Sequence, residues 1–243
     1  MKSIVKFIII ASLVVSVPLY MCVVTVDISK KKAVMSSVGQ RFTVVVDAGH
    51  GGIDPGAIAD DGTLEKDINL FISKDLCEML SAFGFNTVMT RTEDSLIGDN
   101  NLETVKQKKR SDIKRRLEIS ESQQNCLLIS IHQNKFSQKK YSGSQVFYSA
   151  NAPESESAAK TIQQSIALML QPDNKRAVKP VGKEIYLLYH SKKPAVMVEC
   201  GFISNERELS NLKSNNYRNT LSFCILTGVL QYHYDISHTD RQS

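Results

Sequence analysis

The sequence predicts one α/β domain with a mostly parallel central sheet flanked by helices. Three observations predict it. Short β-branched apolar runs alternate along the chain with longer stretches whose apolar residues recur at helical spacing, the signature of strand–helix–strand units. Three of those runs end in His or Glu residues, as expected at the carboxyl ends of strands in an open sheet, where active groups gather. The chain has 243 residues without an internal repeat or a strong interior boundary, and at about 100–200 residues per domain this suits one medium unit.

The elements follow in order. Residues 1–26 lack Asp and Glu, and Lys2 and Lys6 precede an apolar run from Phe7 to Val26. That pattern reads as a secretory signal peptide or a membrane anchor. The remainder is therefore expected to be exported, with membrane contact only through this segment. Lys30, Lys31 and Lys32 just beyond it run against the positive-inside rule. Residues 27–40 read as a linker, 41–236 as the folded domain and 237–243 as a tail. Within the domain, Arg41–Asp47 reads as a buried strand, 64–83 as a helix stopped by Gly84, and 86–90 as a second strand. Residues 94–101 read as a loop and 102–122 as a charged, exposed helix. Cys126–Ile131 reads as a strand, 143–149 as an edge strand and 155–170 as a helix. Ile185–Tyr189 and Ala195–Glu199 read as two more strands, and 205–212 and 217–234 as closing helices.

Composition removes several classes. With 42% apolar and 23% charged residues the chain is neither disordered nor a multi-span membrane protein. Five cysteines without a CxxC pair exclude a zinc ribbon or a disulfide-dense scaffold, and those at 77, 126, 200 and 224 read as buried free thiols. Removing Lys2 and Lys6 with the first 26 residues lowers the formal charge from +5 to +3. Overall charge thus says little, and the local run Lys106–Arg116 reads as a solvated helix face or an anionic contact. Export and the lack of interleaved aromatics argue against nucleic acid.

The chemistry-bearing residues collect at strand ends. Asp47-Ala48-Gly49-His50-Gly51-Gly52 follows the first strand, His132-Gln133-Asn134 follows another, and Glu199-Cys200-Gly201 ends a third. Glu65 opens the first helix, whose amino end can lie near those strand ends. Two His and one carboxylate form a catalytic zinc set with the fourth position open, and a further carboxylate is needed to take a proton. His50, Glu65 and His132 are the candidate ligands and Glu199 the candidate base. Each alone has a plainer reading: a capping or buried His for 50 and 132, a first-turn acid for Glu65. Glu199 stands out because a buried unpaired carboxylate is costly. Asn134 and Arg91 are candidates for substrate contact, and Asp47 for accepting from the free ring nitrogen of His50.

Four blocks carry a family resemblance. Val44-Val45-Val46-Asp47-Ala48-Gly49-His50-Gly51-Gly52, Glu65-Lys66-Asp67-Ile68-Asn69-Leu70, Ser130-Ile131-His132-Gln133-Asn134 and Val198-Glu199-Cys200-Gly201-Phe202-Ile203-Ser204-Asn205 occur in that order. They resemble the zinc-dependent N-acetylmuramoyl-L-alanine amidases of bacteria, from about Thr43 to Tyr234. The resemblance implies Zn2+ held by His50, Glu65 and His132, Glu199 as catalytic carboxylate, and peptidoglycan as substrate, cut between muramic acid and L-Ala. Ala48 stands where the family usually has Pro, Gln133 where a small residue is usual, and Cys200 follows the catalytic Glu. The short layout is similar to germination-specific members that trim spore cortex towards muramic-δ-lactam, which implies the cell wall or forespore intermembrane space as location. Little chain separates His132 from the strand near Gly143, too little for a long occluding helix, so control by an activating or regulatory protein partner or by weak zinc retention is expected. The alternatives are a zinc peptidase acting on the stem peptide and a non-catalytic peptidoglycan-binding regulator. A nucleotide-binding loop at Gly49–Gly52 is disfavoured, since neither G-x-G-x-x-G nor a P-loop lysine is present.

Overall fold

The computed structural model describes residues 42–239; the apolar N-terminal segment and the linker lie outside them. No helix among the described residues is long and apolar enough to cross a membrane. Six strands form one sheet in the order β2-β1-β3-β6-β4-β5. They are β1 (Thr43–Ala48), β2 (Asn86–Met89), β3 (Cys126–Asn134), β4 (Gln145–Tyr148), β5 (Lys179–Pro180) and β6 (Ala195–Phe202). β2, β1, β3 and β6 run parallel, while β4 is antiparallel to β6. The carboxyl ends of β1, β3 and β6 therefore share one edge of the sheet.

The central strands are β-branched because both of their faces are covered. Val44, Val45 and Val46 are fully buried, with Val44 and Val46 in the larger core and Val45 in the smaller. Helices α1 (Glu65–Ala82), α3 (Glu154–Met169) and α6 (Asn215–Thr239) close the larger core. Helix α2 (Val105–Glu121) and the short α4 (Tyr186–His190) close the smaller one, and α5 (Glu206–Lys213) follows β6. Helix α2 begins at a capping box in which Thr104 and Gln107 satisfy each other's backbone donors. The cysteines at 77, 126, 200 and 224 are buried free thiols.

Several elements differ from the sequence expectation, and β3 and β6 run on to Asn134 and Phe202. Ile185–Tyr189 is not a strand: the Tyr189 N–H donates to the Ile185 carbonyl at 2.9 Å, and the segment turns as α4. A short apolar run fits either period, and here burying Leu187 and Leu188 together against the smaller core decides for the helix. The 143–149 strand is not an edge, because β4 lies between β6 and the two-residue β5. Pro180 has no N–H to leave unpaired, which suits the true edge. The last helix continues past Tyr234 to Thr239.

Candidate active site

His50, Glu65 and His132 meet at the shared strand edge. β1 ends at Ala48, and His50 takes a left-handed backbone turn (φ 61°) that aims its ring across the sheet edge. His132 lies near the end of β3. Glu65 is the first residue of α1 and only 3% exposed. Its Oε1 lies 3.0 Å from His132 Nδ1 and 3.3 Å from His50 Nε2. One donor atom from each of the three lies within 4.8 Å of the others, a grouping able to hold a metal ion.

The surroundings fix each donor. The Ala57 N–H donates to Glu65 Oε2 at 2.7 Å and the Gln133 N–H to Oε1 at 3.0 Å. Asn69 Nδ2 donates to the Gly49 carbonyl at 3.1 Å, and Gln133 Nε2 donates to Asn69 Oδ1 at 3.1 Å. Burial opposes charge on Glu65, but the hydrogen bonds and fields of His132 and His50 hold its carboxyl well below the usual range. On its far side, His50 Nδ1 is 2.8 Å from Asp54, which Lys109 meets at 2.6 Å. Burial disfavours the His50 cation, yet the bonds to Asp54 and Glu65 outweigh it and raise the pKa to about 9. This imidazole is basic and oriented from behind, as in metal sites where a carboxylate steers a histidine.

Glu199 sits directly across from His132 in the β3–β6 register. Its Oε2 is buried without a hydrogen-bond partner. Burial raises its pKa to about 7, against the pull of His132. Both side chains, with His50, line a cavity of about 380 Å³ whose other walls include Ile113, Tyr186 and Met197. The site thus holds three convergent donors and, beside them, one carboxylate free to exchange a proton.

The other sequence candidates resolve differently. Asp47 does not accept from His50; Asp54 does. Asp47 is 1% exposed and takes bonds from Thr90 (2.7 Å), Ser130 (2.6 Å) and Arg116 (2.7 Å), so it closes a buried cluster behind the loop. Arg91 is buried behind the loop. Its guanidinium donates to the carbonyls of Ala48, Gly49, Lys66 and Glu93, which leaves it pinning the loop at 3% exposure. Asn134 ends β3 at an irregularity in its pairing with β6, where its carbonyl accepts from the Ile203 N–H at 2.8 Å. The run Lys106–Arg116 is not wholly solvated. Asp112 and Arg116 are buried, and the Arg116 Nη2 donates to the His50 carbonyl at 2.6 Å. Asp54, Lys109 and Arg116 escaped the sequence reading; Asp54 alone carried a local signal, four residues after His50.

Close packing makes one glycine indispensable. A Cβ on Gly49 would lie 2.4 Å from the His132 ring. Gly49→Ala is expected to push that ring off Glu65 and to destabilise the fold by about 2 kcal/mol through overpacking. Thermal unfolding and metal titration check both effects.

Residues 44–231 match the family described as N-acetylmuramoyl-L-alanine amidase (Amidase_3). The germination-specific N-acetylmuramoyl-L-alanine amidase of Bacillus subtilis is 32% identical over 189 residues, covering 78% of this chain and 78% of that protein. A solved structure of the CwlD amidase from Clostridioides difficile, in complex with the GerS lipoprotein, superposes with a TM-score of 0.75 at 40% identity, over 78% of this chain and 97% of that one. The AmiC2 amidase of Nostoc punctiforme superposes at 0.66 with 28% identity, over 79% and 97%. The matched region runs from β1 into α6 and takes in His50, Glu65, His132 and Glu199, so the chain belongs to the N-acetylmuramoyl-L-alanine amidase (Amidase_3) family.

Proposed function

We propose that this enzyme is a zinc-dependent amidase that cuts the bond between the lactyl group of muramic acid and the L-Ala of the stem peptide. The observation that carries the reading is the meeting of His50, Glu65 and His132 around one point with the unsatisfied Glu199 oxygen beside it. Two imidazoles and one carboxylate suit zinc and leave its fourth position open. Glu65 is held anionic, as a ligand must be. Zinc, when bound, supplies a Lewis acid that lowers the pKa of water to about 7 and polarises a carbonyl.

The chain's own residues perform the rest. Glu199 accepts the proton of the water that attacks the lactyl carbonyl, and returns it to the departing L-Ala amine. Its unpaired oxygen makes that exchange accessible without breaking an existing hydrogen bond. Asp54 keeps the His50 ring turned inward, and Ala57 and Gln133 hold the Glu65 carboxylate in one orientation. Mass spectrometry of peptidoglycan digested by the purified protein tests the reading. Free L-Ala amino termini with intact stem peptides are expected, and cleavage within the stem assigns a peptidase. In the same preparation His132→Ala is expected to lose zinc, and full occupancy would exclude it as a ligand.

The finer role is spore-cortex trimming towards muramic-δ-lactam, and hence germination. The likeness to the germination-specific Bacillus amidase and to CwlD supports it. The apolar N-terminal segment supports export, with the enzyme anchored or released into the cell wall or forespore intermembrane space. A lipoprotein partner, like the one in the CwlD structure, fits an exported wall hydrolase that must be restrained.

A further inference from the structure

The connection from β3 to β4 carries two exposed aromatic rings at the carboxyl end of the sheet. β3 and β4 flank β6 on opposite sides, so residues 135–144 must pass the carboxyl end of the strand that bears Glu199. Phe136 is 50% and Tyr141 37% exposed on this segment. Their centroids are 5.0 Å apart, edge to face, and Tyr141 stacks on the buried Phe202 at 6.3 Å. Arg176 lies 4.8 Å over the other ring of that stack, Phe202.

The segment is fastened as a platform. The Phe136 N–H donates to Ser204 Oγ at 3.1 Å, and Asn205 Nδ2 donates to the Lys139 carbonyl at 2.8 Å. Lys135 Nζ donates to the Ile58 carbonyl at 2.7 Å, next to Ala57, whose N–H holds Glu65. Lys139 pairs with Asp60 at 2.6 Å. The platform is thereby tied to the loop that holds the Glu65 carboxylate. Exposed aromatic rings held rigid bind flat apolar surfaces with little loss of entropy.

We propose that Phe136 and Tyr141 form a saccharide subsite, on which a sugar ring of the glycan strand stacks next to the muramic acid whose amide is cut. The inference rests on the amidase reading above. A pyranose offers a C–H face of weak positive potential to the negative face of an aromatic ring, and its hydroxyls stay in water. The alternative occupant, an anionic stem peptide, calls for free cations. Two of the three lysines on the segment are already committed, Lys135 to a carbonyl and Lys139 to Asp60; Lys140 lies 5.6 Å from the Tyr141 centroid.

The test compares the full chain with its Phe136→Ala/Tyr141→Ala variant, first for co-sedimentation with peptide-free glycan strands, which needs no turnover. Half-saturation is expected to need about tenfold more variant, the scale of one aromatic contact. Hydrolysis is then measured on polymeric peptidoglycan and on N-acetylmuramic acid monosaccharide carrying the same stem peptide. KM on the polymer is expected to rise about tenfold with kcat and the monosaccharide rate unchanged. Phe136→Tyr/Tyr141→Phe is expected to behave as wild type in both assays. Unchanged binding to peptide-free glycan overturns the proposal, and so does an equal loss on polymer and monosaccharide, which assigns the rings to the peptide. A wild type that binds glycan but cuts within the stem peptide refutes the amidase reading and leaves the glycan-binding rings standing.

Discussion

Glu199→Gln is expected to lower kcat by about a thousandfold while zinc content stays at the wild-type level, within the range that a positioned general base contributes. Glutamine keeps the size and position of the side chain and can neither accept nor return the proton. None of the three convergent donors belongs to residue 199, so metal analysis and kinetics separate. Zinc loss on substitution would make Glu199 a ligand, and retained turnover would remove it from the reaction. The pH profile sharpens the test. Burial, against the pull of His132 and His50, raises the carboxyl to about 7, and a cation held by the neighbouring donors favours the carboxylate. The acid limb of kcat/KM in the zinc enzyme is therefore expected below pH 7. Activity falls as pH drops through that limb because the base becomes protonated. The Gln variant is expected to lose the limb along with the rate.

Much of this site was legible because its parts are local. A strand that stops in Gly-His-Gly-Gly, a His directly after another apolar run and a Glu after four apolar residues each announce a strand end. A parallel sheet brings those ends to one edge whatever the detail of the loops. The orientation of side chains around them was not local. Arg91 follows a strand and carries a cation, which suits a substrate carboxylate; only the folded loop shows four carbonyls already consuming its donors. Asp112 and Arg116 sit inside a run of lysines and arginines whose composition reads as a solvated face. Their spacing of four puts both on the stripe shared with Ile113 and Leu117, which pack on the smaller core. Charge density hid a buried pair that periodicity contained. Helix α4 escaped for a different reason, since the five apolar residues Ile185–Tyr189 have no period of their own and tertiary burial chose the conformation.

Arg116→Met is expected to destabilise the protein by about 3–5 kcal/mol, the scale for breaking a buried ion pair by removing one partner. Arg116 spends its whole fork behind the active-site loop. Nε donates to Asp112 and Nη1 to Asp47, each at 2.7 Å, while the carbonyls of Ala48 and His50 each accept at 2.6 Å. Methionine fills the volume but leaves two buried carboxylates without their cation. Arg116→Lys is expected to rescue little, because a single ammonium cannot reach these partners in a fork geometry. The pH dependence identifies the cause. In the wild type, burial raises the Asp47 pKa, but Arg116, Ser130 and Thr90 outweigh it and hold the pKa at about 2. Its contribution is thus complete above the unfolded value near 3.8 and disappears as pH falls towards 2. Without Arg116 the burial cost dominates, the folded pKa rises above the unfolded one, and protonation relieves the variant. The stability gap between the two proteins is therefore expected to narrow as pH falls from 6 to 3, read by denaturant unfolding. Adding Asp47→Asn to the variant is expected to recover part of the loss at pH 7. A gap that stays constant with pH would assign the effect to packing instead of charge. Since Arg116 also holds the His50 carbonyl, the same variant is expected to bind zinc more weakly even where it remains folded, which links the buried pair to the metal-binding loop it supports.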